Sequence, residues 1–391
     1  YKVYWEDGAQ VTAPKDHEII DEVEHVIDFH TVKTMSKDDA IEAGLYQYIG
    51  EEIDVAYMEE LKKQIIHPEI IKEVADELKI VYTPFHGTGN KPVRRILAEL
   101  GFKHVYVVPE QERPDPAFTT LDYPNPEDPK AFTLALKLAK KVDADIVLAT
   151  DPDADRLGIY AKDSKTGEYM PFTGNMSGML IAEYILRERT ATNRMPVDPV
   201  MVSTIVTTNM AAAIAADYNV ELREVLTGFK YIGEQIKWME QAGKGHYVFG
   251  LEESYGCLIG TYARDKDAIS ATVALCEAAA YYKTKNMTLW DAMVALYEKY
   301  GYYKDSVKSI GLSGIEGLAK IQSIMETLRN NTPAEVGGYK VVSARDYKLD
   351  TIKDMKTGAV TETGLPASNV LYYDLNDGAW VCVRPSGTEP K

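Results

Sequence analysis

The sequence predicts an α/β protein: successive mixed-sheet α/β domains followed by a C-terminal α+β domain. Short apolar runs alternate with amphipathic helical patterns from Ile80 to Tyr282, and each run ends in a polar, turn-rich loop. Beyond Tyr300 that alternation gives way to strand-like segments, one helix and a hairpin signal. The first unit is a strand Ile80-Val81-Tyr82-Thr83, the turn-rich Pro84-Phe85-His86-Gly87-Thr88-Gly89-Asn90, a helix from Pro92 to Leu100 and a strand from Val105 to Val108. The second is a helix across Lys130 to Lys141, with Phe132, Leu136 and Ala139 on one face, then a strand Ile146 to Ala149 and a loop beginning at Asp151. From Val200 the pattern returns: strand Met201 to Ser203, helix Met210 to Ala216, strand Val220 to Leu226, loop Thr227-Gly228-Phe229-Lys230, and helix Tyr231 to Gln241. A strand Tyr247 to Leu251, the loop Glu252-Glu253-Ser254-Tyr255-Gly256 and a helix Ala268 to Tyr282 complete it. The tail predicts a strand Val307 to Leu312, a helix Ile315 to Leu328, a strand Tyr339 to Ala344, and a hairpin turning at Asn376-Asp377-Gly378.

Length and charge narrow the function. A chain of 391 residues exceeds one ordinary core, and its 45% hydrophobic and 26% charged composition is that of a folded soluble protein with no membrane-length apolar run. The formal charge of −17 disfavours nucleic acid and anionic membrane, so a phosphorylated ligand requires local cations or a metal. Three cysteines, Cys257, Cys276 and Cys382, have no metal-type spacing and read as free thiols in a reducing cytoplasm. The stretch from Tyr1 to Gly8 shows none of the features of an export signal. The first fifty residues carry helical patterning, as from Asp16 to Ile27, but too few strands to close a core, and Arg384 to Lys391 stop just after a strand. Both ends therefore read as cut.

The strongest chemical signal is Asp151-Pro152-Asp153-Ala154-Asp155-Arg156, directly after an apolar strand. Close carboxylate pairs repel by several kcal/mol at an effective dielectric of ~20, so a bound cation is expected to hold the loop. Oxygen ligands suit a hard ion such as Mg²⁺, with Arg156 beside it for a phosphate. The alternatives are a solvated acidic turn or a calcium loop, and the apolar strand resuming at Leu157 argues against the latter. Arg384-Pro385-Ser386-Gly387-Thr388-Glu389-Pro390 offers a cation, two hydroxyls and a close-approaching glycine amide, suited to a phosphate dianion or to an ordinary turn. Glu252-Glu253-Ser254 supplies acceptors for sugar hydroxyls, or is a polar strand-to-helix turn. Lys230 and Lys266 are phosphate contacts or surface charge. His86 reads as a structural histidine rather than a catalytic one.

Taken together and in this order, the acidic loop, Gly250-Leu251-Glu252-Glu253-Ser254-Tyr255-Gly256 and Arg384-Pro385-Ser386-Gly387-Thr388-Glu389-Pro390 resemble the metal, sugar and phosphate loops of the α-D-phosphohexomutase superfamily, the phosphoglucomutase/phosphomannomutase type. Tyr82-Thr83-Pro84-Phe85-His86-Gly87, Thr227-Gly228-Phe229-Lys230 and Lys266-Asp267 extend the resemblance over essentially the whole chain. It implies four domains around a central cleft, a phosphoserine that donates to the sugar, and a bisphosphorylated intermediate. By matching position, Asp151, Asp153 and Asp155 would hold Mg²⁺, and Glu252 and Ser254, with Gly228 and Lys230 from the neighbouring loop, would bind substrate. Arg384, Ser386, Gly387 and Thr388 would grip the non-reacting phosphate. Lys266, Lys2 and Arg156 would be catalytic, Lys2 matching the lysine that closes the serine motif.

The family's Thr/Ser-Ala-Ser-His-Asn-Pro motif does not occur. The implied domains are 1–52, the remnant of the phosphoserine domain; 53–172, metal-binding; 173–300, sugar-binding; and 301–391, phosphate-binding and truncated. The implied function is a cytoplasmic phosphoglucomutase acting on a small sugar phosphate with Mg²⁺ and glucose 1,6-bisphosphate, the fragment itself being inactive. The alternatives are a phosphomannomutase or phosphopentomutase of the same superfamily, a non-catalytic sugar-phosphate binding protein, or a phosphatase using an aspartate of the acidic loop as nucleophile.

Overall fold

The computed structural model describes residues 2–312 and 314–386, without the side chain of Ile315. The chain forms two compact units, Tyr1–Tyr303 and Lys304–Lys391.

In the first unit the opening segment carries α1 (Lys15–Glu24) and α2 (Lys37–Glu42), neither with a buried residue. Helix α3 (Glu51–Lys63) buries Met58 and Leu61, and α4 (Pro68–Val74) starts on Pro68, whose fixed φ suits a first helical turn. Then follow β1 (Lys79–Thr83), α5 (Asn90–Glu99), β2 (His104–Val107), α6 (Thr133–Val142), β3 (Ile146–Thr150), β4 (Leu157–Lys162) and β5 (Tyr169–Pro171). They make a mixed sheet in the order β2-β1-β3-β4-β5, parallel across β2, β1 and β3 and antiparallel beyond. The helix expected from Lys130 begins as a 3-10 turn, Pro129–Phe132, before α6.

Helix α7 (Gly174–Ala191) leads to β6 (Pro199–Thr204), α8 (Met210–Asp217), β7 (Glu221–Val225), α9 (Phe229–Ala242), β8 (His246–Glu252), β9 (Gly256–Ile259), α10 (Ala268–Thr284) and α11 (Leu289–Tyr300). Their sheet runs β7-β6-β8-β9, again with parallel pairs and one antiparallel edge. One apolar core joins both sheets: Ile80, Leu148 and Ile159 of the first share it with Met201, Phe249 and Leu251 of the second, with α7 and α10 contributing from both their lengths. Helices α7 and α10 are therefore buried on nearly every side.

The second unit packs α12 (Gly314–Asn330) on an antiparallel sheet of β10 (Glu335–Val336), β11 (Tyr339–Asp346), β12 (Thr351–Asp354), β13 (Val360–Thr361), β14 (Leu371–Leu375) and β15 (Trp380–Val383). Met325 meets Val341, Leu371, Tyr373 and Leu375 in its core. The Asn376-Asp377-Gly378 turn joins β14 to β15, with Asp377 and Gly378 both at positive φ, 68° and 77°, as a tight hairpin requires. The strand expected at Val307 to Leu312 is absent: that stretch has no regular structure, and Val307 and Ile310 are exposed. Apolar alternation without a pairing partner did not make a strand. No helix among the described residues is long and apolar enough to cross a membrane.

Candidate active site

The acidic loop is the turn of the β3–β4 hairpin, whose last pair is Thr150 and Leu157. Asp151 is buried at the strand end, and its Oδ1 accepts the amide N–H groups of Asp155 at 3.0 Å and Arg156 at 2.9 Å. The loop thus wraps around its own first carboxylate. That tight path places Ala154 at φ 60°, a left-handed conformation that costs a non-glycine residue on the order of 1 kcal/mol and concentrates at functional sites. One carboxylate oxygen from each of Asp151, Asp153 and Asp155 lies within 4.8 Å of the others, and Asp153 is exposed. Burial, then the neighbouring Asp155 and Asp153, push the Asp151 carboxyl up to about 8, partly offset by the Arg156 amide. All-oxygen donors at this spacing fit a hard divalent cation.

The chain brings its own cations to this loop. Lys266 Nζ lies 3.1 Å from Asp155 Oδ2, 3.3 Å from Asp265 Oδ1 and 3.6 Å from Glu252 Oε2. Lys2 Nζ is 3.4 Å from Asp155 Oδ2, and Arg156 Nε is 3.7 Å from Asp155 Oδ1 and 4.0 Å from Asp151 Oδ2. Two ammonium groups and a guanidinium thus stand against Asp155, while Asp151 still feels the repulsion of Asp155 and Asp153. The Arg156 Nε–H is buried without a hydrogen-bond partner among the described residues, which leaves a donor beside the loop.

Lys266 reaches this point because of its neighbours. Its stem runs across Gly256, where a Cβ would sit 2.0 Å from Lys266 Cδ, so only glycine admits it. Behind it, buried Asp267 caps α10, accepting the amides of Ile269 at 2.8 Å and Ser270 at 3.2 Å. The same carboxylate accepts the hydroxyls of Tyr57, at 2.8 and 2.9 Å to its two oxygens, and of Tyr262. The Ala268 amide donates to Ala154 O at 3.1 Å, tying the lysine segment to the acidic loop. Burial disfavours the Lys266 ammonium, but Glu252, Asp155 and Asp265 outweigh it and raise its pKa. Lys266 is therefore an ammonium at neutral pH.

Glu252 ends β8, and its Oε1 accepts the Gly228 N–H at 2.8 Å, so the Thr227-Gly228-Phe229 loop orients it. Its other oxygen faces Lys266. The Leu157 amide donates to Tyr255 O at 3.0 Å, joining the loop that follows Glu252 to the acidic loop, and Ser254 is half-buried on that turn. Lys230 points elsewhere: its Nζ pairs with Asp16 Oδ2 at 3.2 Å and lies over the Tyr231 ring. Arg384 and Ser386 follow β15 in the second unit, and Gly387 and Thr388 lie outside the described residues. His86 is buried with both ring nitrogens engaged, Nδ1 with Arg113 O at 2.7 Å and Nε2 with Thr120 Oγ1 at 2.8 Å, which suits a structural role. A cavity of about 450 Å³ opens beside the cluster, lined among others by Tyr4, Tyr57, Thr88, Asp153, Arg264 and Lys266.

Sequence reasoning missed Tyr4, Tyr57, Glu127 and Asp265. Asp265 stood in the Arg264-Asp265-Lys266-Asp267 run, where alternating charge was the available signal. Glu127, 3.9 Å from Arg156 Nη1, follows the buried Asn125, whose side chain accepts its amide. Nothing in the local pattern marks either tyrosine.

Comparison with known proteins adds an independent result. The models of phosphoglucomutase/phosphomannomutase α/β/α domain II and domain III match residues 55–166 and 173–300. The phosphoglucomutase of Staphylococcus epidermidis is 34% identical over 394 residues, covering 100% of this chain and 69% of the relative. That of Staphylococcus aureus is 34% identical over 393 residues, covering 100% of this chain and 68% of the relative. The solved structure of the Paramecium phosphoprotein parafusin, a phosphoglucomutase in its open form, superposes with a TM-score of 0.55 at 20% identity, over 85% of this chain and 55% of that one. That likeness concerns the fold alone.

Proposed function

The chain belongs to the phosphoglucomutase/phosphomannomutase family of phosphohexose mutases, and on that premise we propose that the protein is a cytoplasmic phosphoglucomutase. It interconverts glucose 1-phosphate and glucose 6-phosphate through a phosphoserine and a bisphosphorylated sugar, with glucose 1,6-bisphosphate as activator. The reading divides the chain into parts 1–52, 53–172, 173–300 and 301–391. The serine motif is not among these residues, so the proposal assigns the 391-residue chain binding without turnover.

The observation that carries the reading is the convergence on Lys266: its Nζ stands 3.1 Å from an aspartate of the acidic loop and 3.6 Å from Glu252 of the sugar loop. Asp151, Asp153 and Asp155 would hold Mg²⁺, which when bound supplies charge neutralisation for a transferring phosphoryl group. The chain's own residues do the rest. Lys266, as an ammonium, acts as cation and proton donor toward a phosphoryl or sugar oxygen, not as a base. Lys2 adds a second cation on the same side, and the free Nε–H of Arg156 can donate to a phosphate oxygen. Glu252, fixed by Gly228, and Ser254 present acceptors for sugar hydroxyls. Arg384, Ser386, Gly387 and Thr388 are assigned to the non-reacting phosphate, and Gly228 and Lys230 to the substrate side of the sugar loop.

Steady-state turnover by the full-length protein, with Mg²⁺ and glucose 1,6-bisphosphate present, tests the assignment across the 1-phosphates of glucose, mannose and ribose. The expected result is a kcat/KM for glucose 1-phosphate roughly tenfold or more above the others. A preference for mannose or ribose would move the assignment to a phosphomannomutase or phosphopentomutase. Tight binding with no turnover of any would favour a binding protein.

A further inference from the structure

Asp265 stands one residue before Lys266 and across from the acidic loop. Its Oδ1 accepts the Lys266 amide at 2.8 Å and lies 3.3 Å from Lys266 Nζ, while its Oδ2 accepts the Tyr4 hydroxyl at 2.5 Å and lies 3.7 Å from Lys2 Nζ. Both ammonium groups also touch Asp155, Lys266 at 3.1 Å and Lys2 at 3.4 Å. Two carboxylates thus share two lysines in a ring of four charges. Three of the four side chains are at most 17% exposed, so solvent screens the ring weakly. The two carboxylates differ in what else holds them. Asp265 is fixed by a tyrosine hydroxyl and a backbone amide, whereas Asp155 belongs to the loop whose oxygens converge on one point.

A cation entering the acidic loop must take an oxygen of Asp155 from the lysines. Whatever draws the lysines away from Asp155 favours that exchange. We propose that Asp265 is a positioning residue that holds Lys2 and Lys266 between itself and Asp155, and so sets how tightly the acidic loop takes a divalent cation. The inference rests on the metal reading of that loop. It couples cation binding to the placement of the two lysines: as the ion claims Asp155, Asp265 retains both ammonium groups beside the site. Tyr4 has a defined part in this, since its hydroxyl holds the Asp265 oxygen that faces Lys2.

The test is a double-mutant cycle read by Mn²⁺ affinity, measured by electron paramagnetic resonance on the full 391-residue chain at fixed pH and ionic strength. Asp265→Asn releases both lysines onto Asp155 and is expected to weaken Mn²⁺ binding roughly tenfold, and Lys2→Met, which removes one competitor, to tighten it severalfold. A bare change of field would give the same two signs, so the coupling decides. With Lys2→Met already in place, the loss caused by Asp265→Asn is expected to shrink at least ~3-fold, because part of its effect runs through Lys2. Strictly independent effects would overturn the inference and leave the metal reading standing. No Mn²⁺ binding by the unsubstituted chain would sink the metal reading and the inference with it. Should Asp265→Asn fail to fold, Asp265→Glu replaces it in the cycle, and an Mn²⁺ affinity unmoved by Lys2→Met alone overturns the inference.

Discussion

Two charged clusters lie along α10, one at the segment that leads into it and one beside its middle, and they are built on opposite plans. At its start, Lys266, Lys2 and Arg156 face Asp151, Asp155 and Asp265 at 3.1 to 4.0 Å, with the Arg156 Nε–H left over. Midway, Arg187 donates to Glu183 and Glu188, each at 2.7 Å, and His67 Nε2 meets Glu188 at 2.8 Å. Glu277 accepts the amides of Ile66 at 2.8 Å and His67 at 2.5 Å, satisfying donors at the start of α4. The rest of the Arg187 guanidinium lies over the rings of Tyr184, Tyr281 and Tyr282. The second, closed cluster pairs its carboxylates at hydrogen-bond distance and fastens α4 and α7 to α10, although Arg187 Nη2 finds no hydrogen-bond partner among the described residues. The first, open cluster is longer in its contacts and borders the cavity of about 450 Å³. Closed charge networks hold a fold together, and open ones are available to a ligand.

That contrast is tested most severely at Asp153. It is the exposed member of the acidic loop, and no described contact of the fold depends on it. In the full-length protein Asp153→Asn is expected to lower turnover on the order of 10³-fold, the scale of losing a major electrostatic contribution to the transition state. Its unfolding free energy is expected to stay within about 0.5 kcal/mol of the unsubstituted protein. Retained turnover with an unchanged Mg²⁺ dependence would remove the acidic loop from the chemistry, and a large loss of stability would place it with the closed cluster.

The reverse pattern is expected at Arg187. Arg187→Met keeps most of the aliphatic stem but leaves Glu183, whose side chain is 3% exposed, without its closest cation. Stranding one partner of a buried pair costs about 3 kcal/mol. The measurement is the urea midpoint with Mn²⁺ affinity alongside: stability should fall while the affinity does not move. A changed affinity would mean that the two clusters communicate along α10.

How legible each cluster was from the sequence follows from the same contrast. The acidic loop was visible because its three carboxylates fall within five residues of the chain and sit at a strand end, where a continuous apolar run gives way to polar residues. The central strands of both sheets and the helices α5, α6, α8, α9 and α10 were readable for the same local reason, whereas the short edge strands β5 and β9 were not. Helix α7 was not, because burial on nearly every side erases the polar face by which an amphipathic helix announces itself. Nor was the pairing of Lys266 with Asp155, or of Tyr57 with Asp267, since the partners lie far apart in the chain and meet only through the shared core. The closed cluster left no trace at all: Glu183, Arg187 and Glu188 look like the outer face of a helix, and only the packing of α4 and α10 against α7 turns them inward.

The mildest test of the closed cluster is its pH dependence, and His67 carries it. Burial disfavours the imidazolium, but hydrogen bonds to Glu69 at 2.9 Å and Glu188 at 2.8 Å outweigh it and raise the His67 pKa above its ordinary value. A pKa raised by folding contributes stability that is fully present below the unfolded value, ~6.5, and is lost as pH rises through the folded value. Unfolding free energy should therefore decline as pH rises above ~6.5, by less than ~1 kcal/mol because Glu69 is exposed to solvent. Two further titrating carboxylates of the cluster, Glu188 and Glu277, must be separated from the ring. Arg187 and His67 hold Glu188 below the usual range against the effect of burial, so its contribution is lost only in acid. Glu277, pushed up by burial, tilts stability in the same direction as His67, from ~4.3 upward. His67→Gln keeps a hydrogen-bonding side chain without a titrating charge, so the difference between the two pH profiles isolates the imidazole. Parallel profiles would show that folding leaves the His67 pKa unshifted, so that Glu69 and Glu188 do not favour the imidazolium.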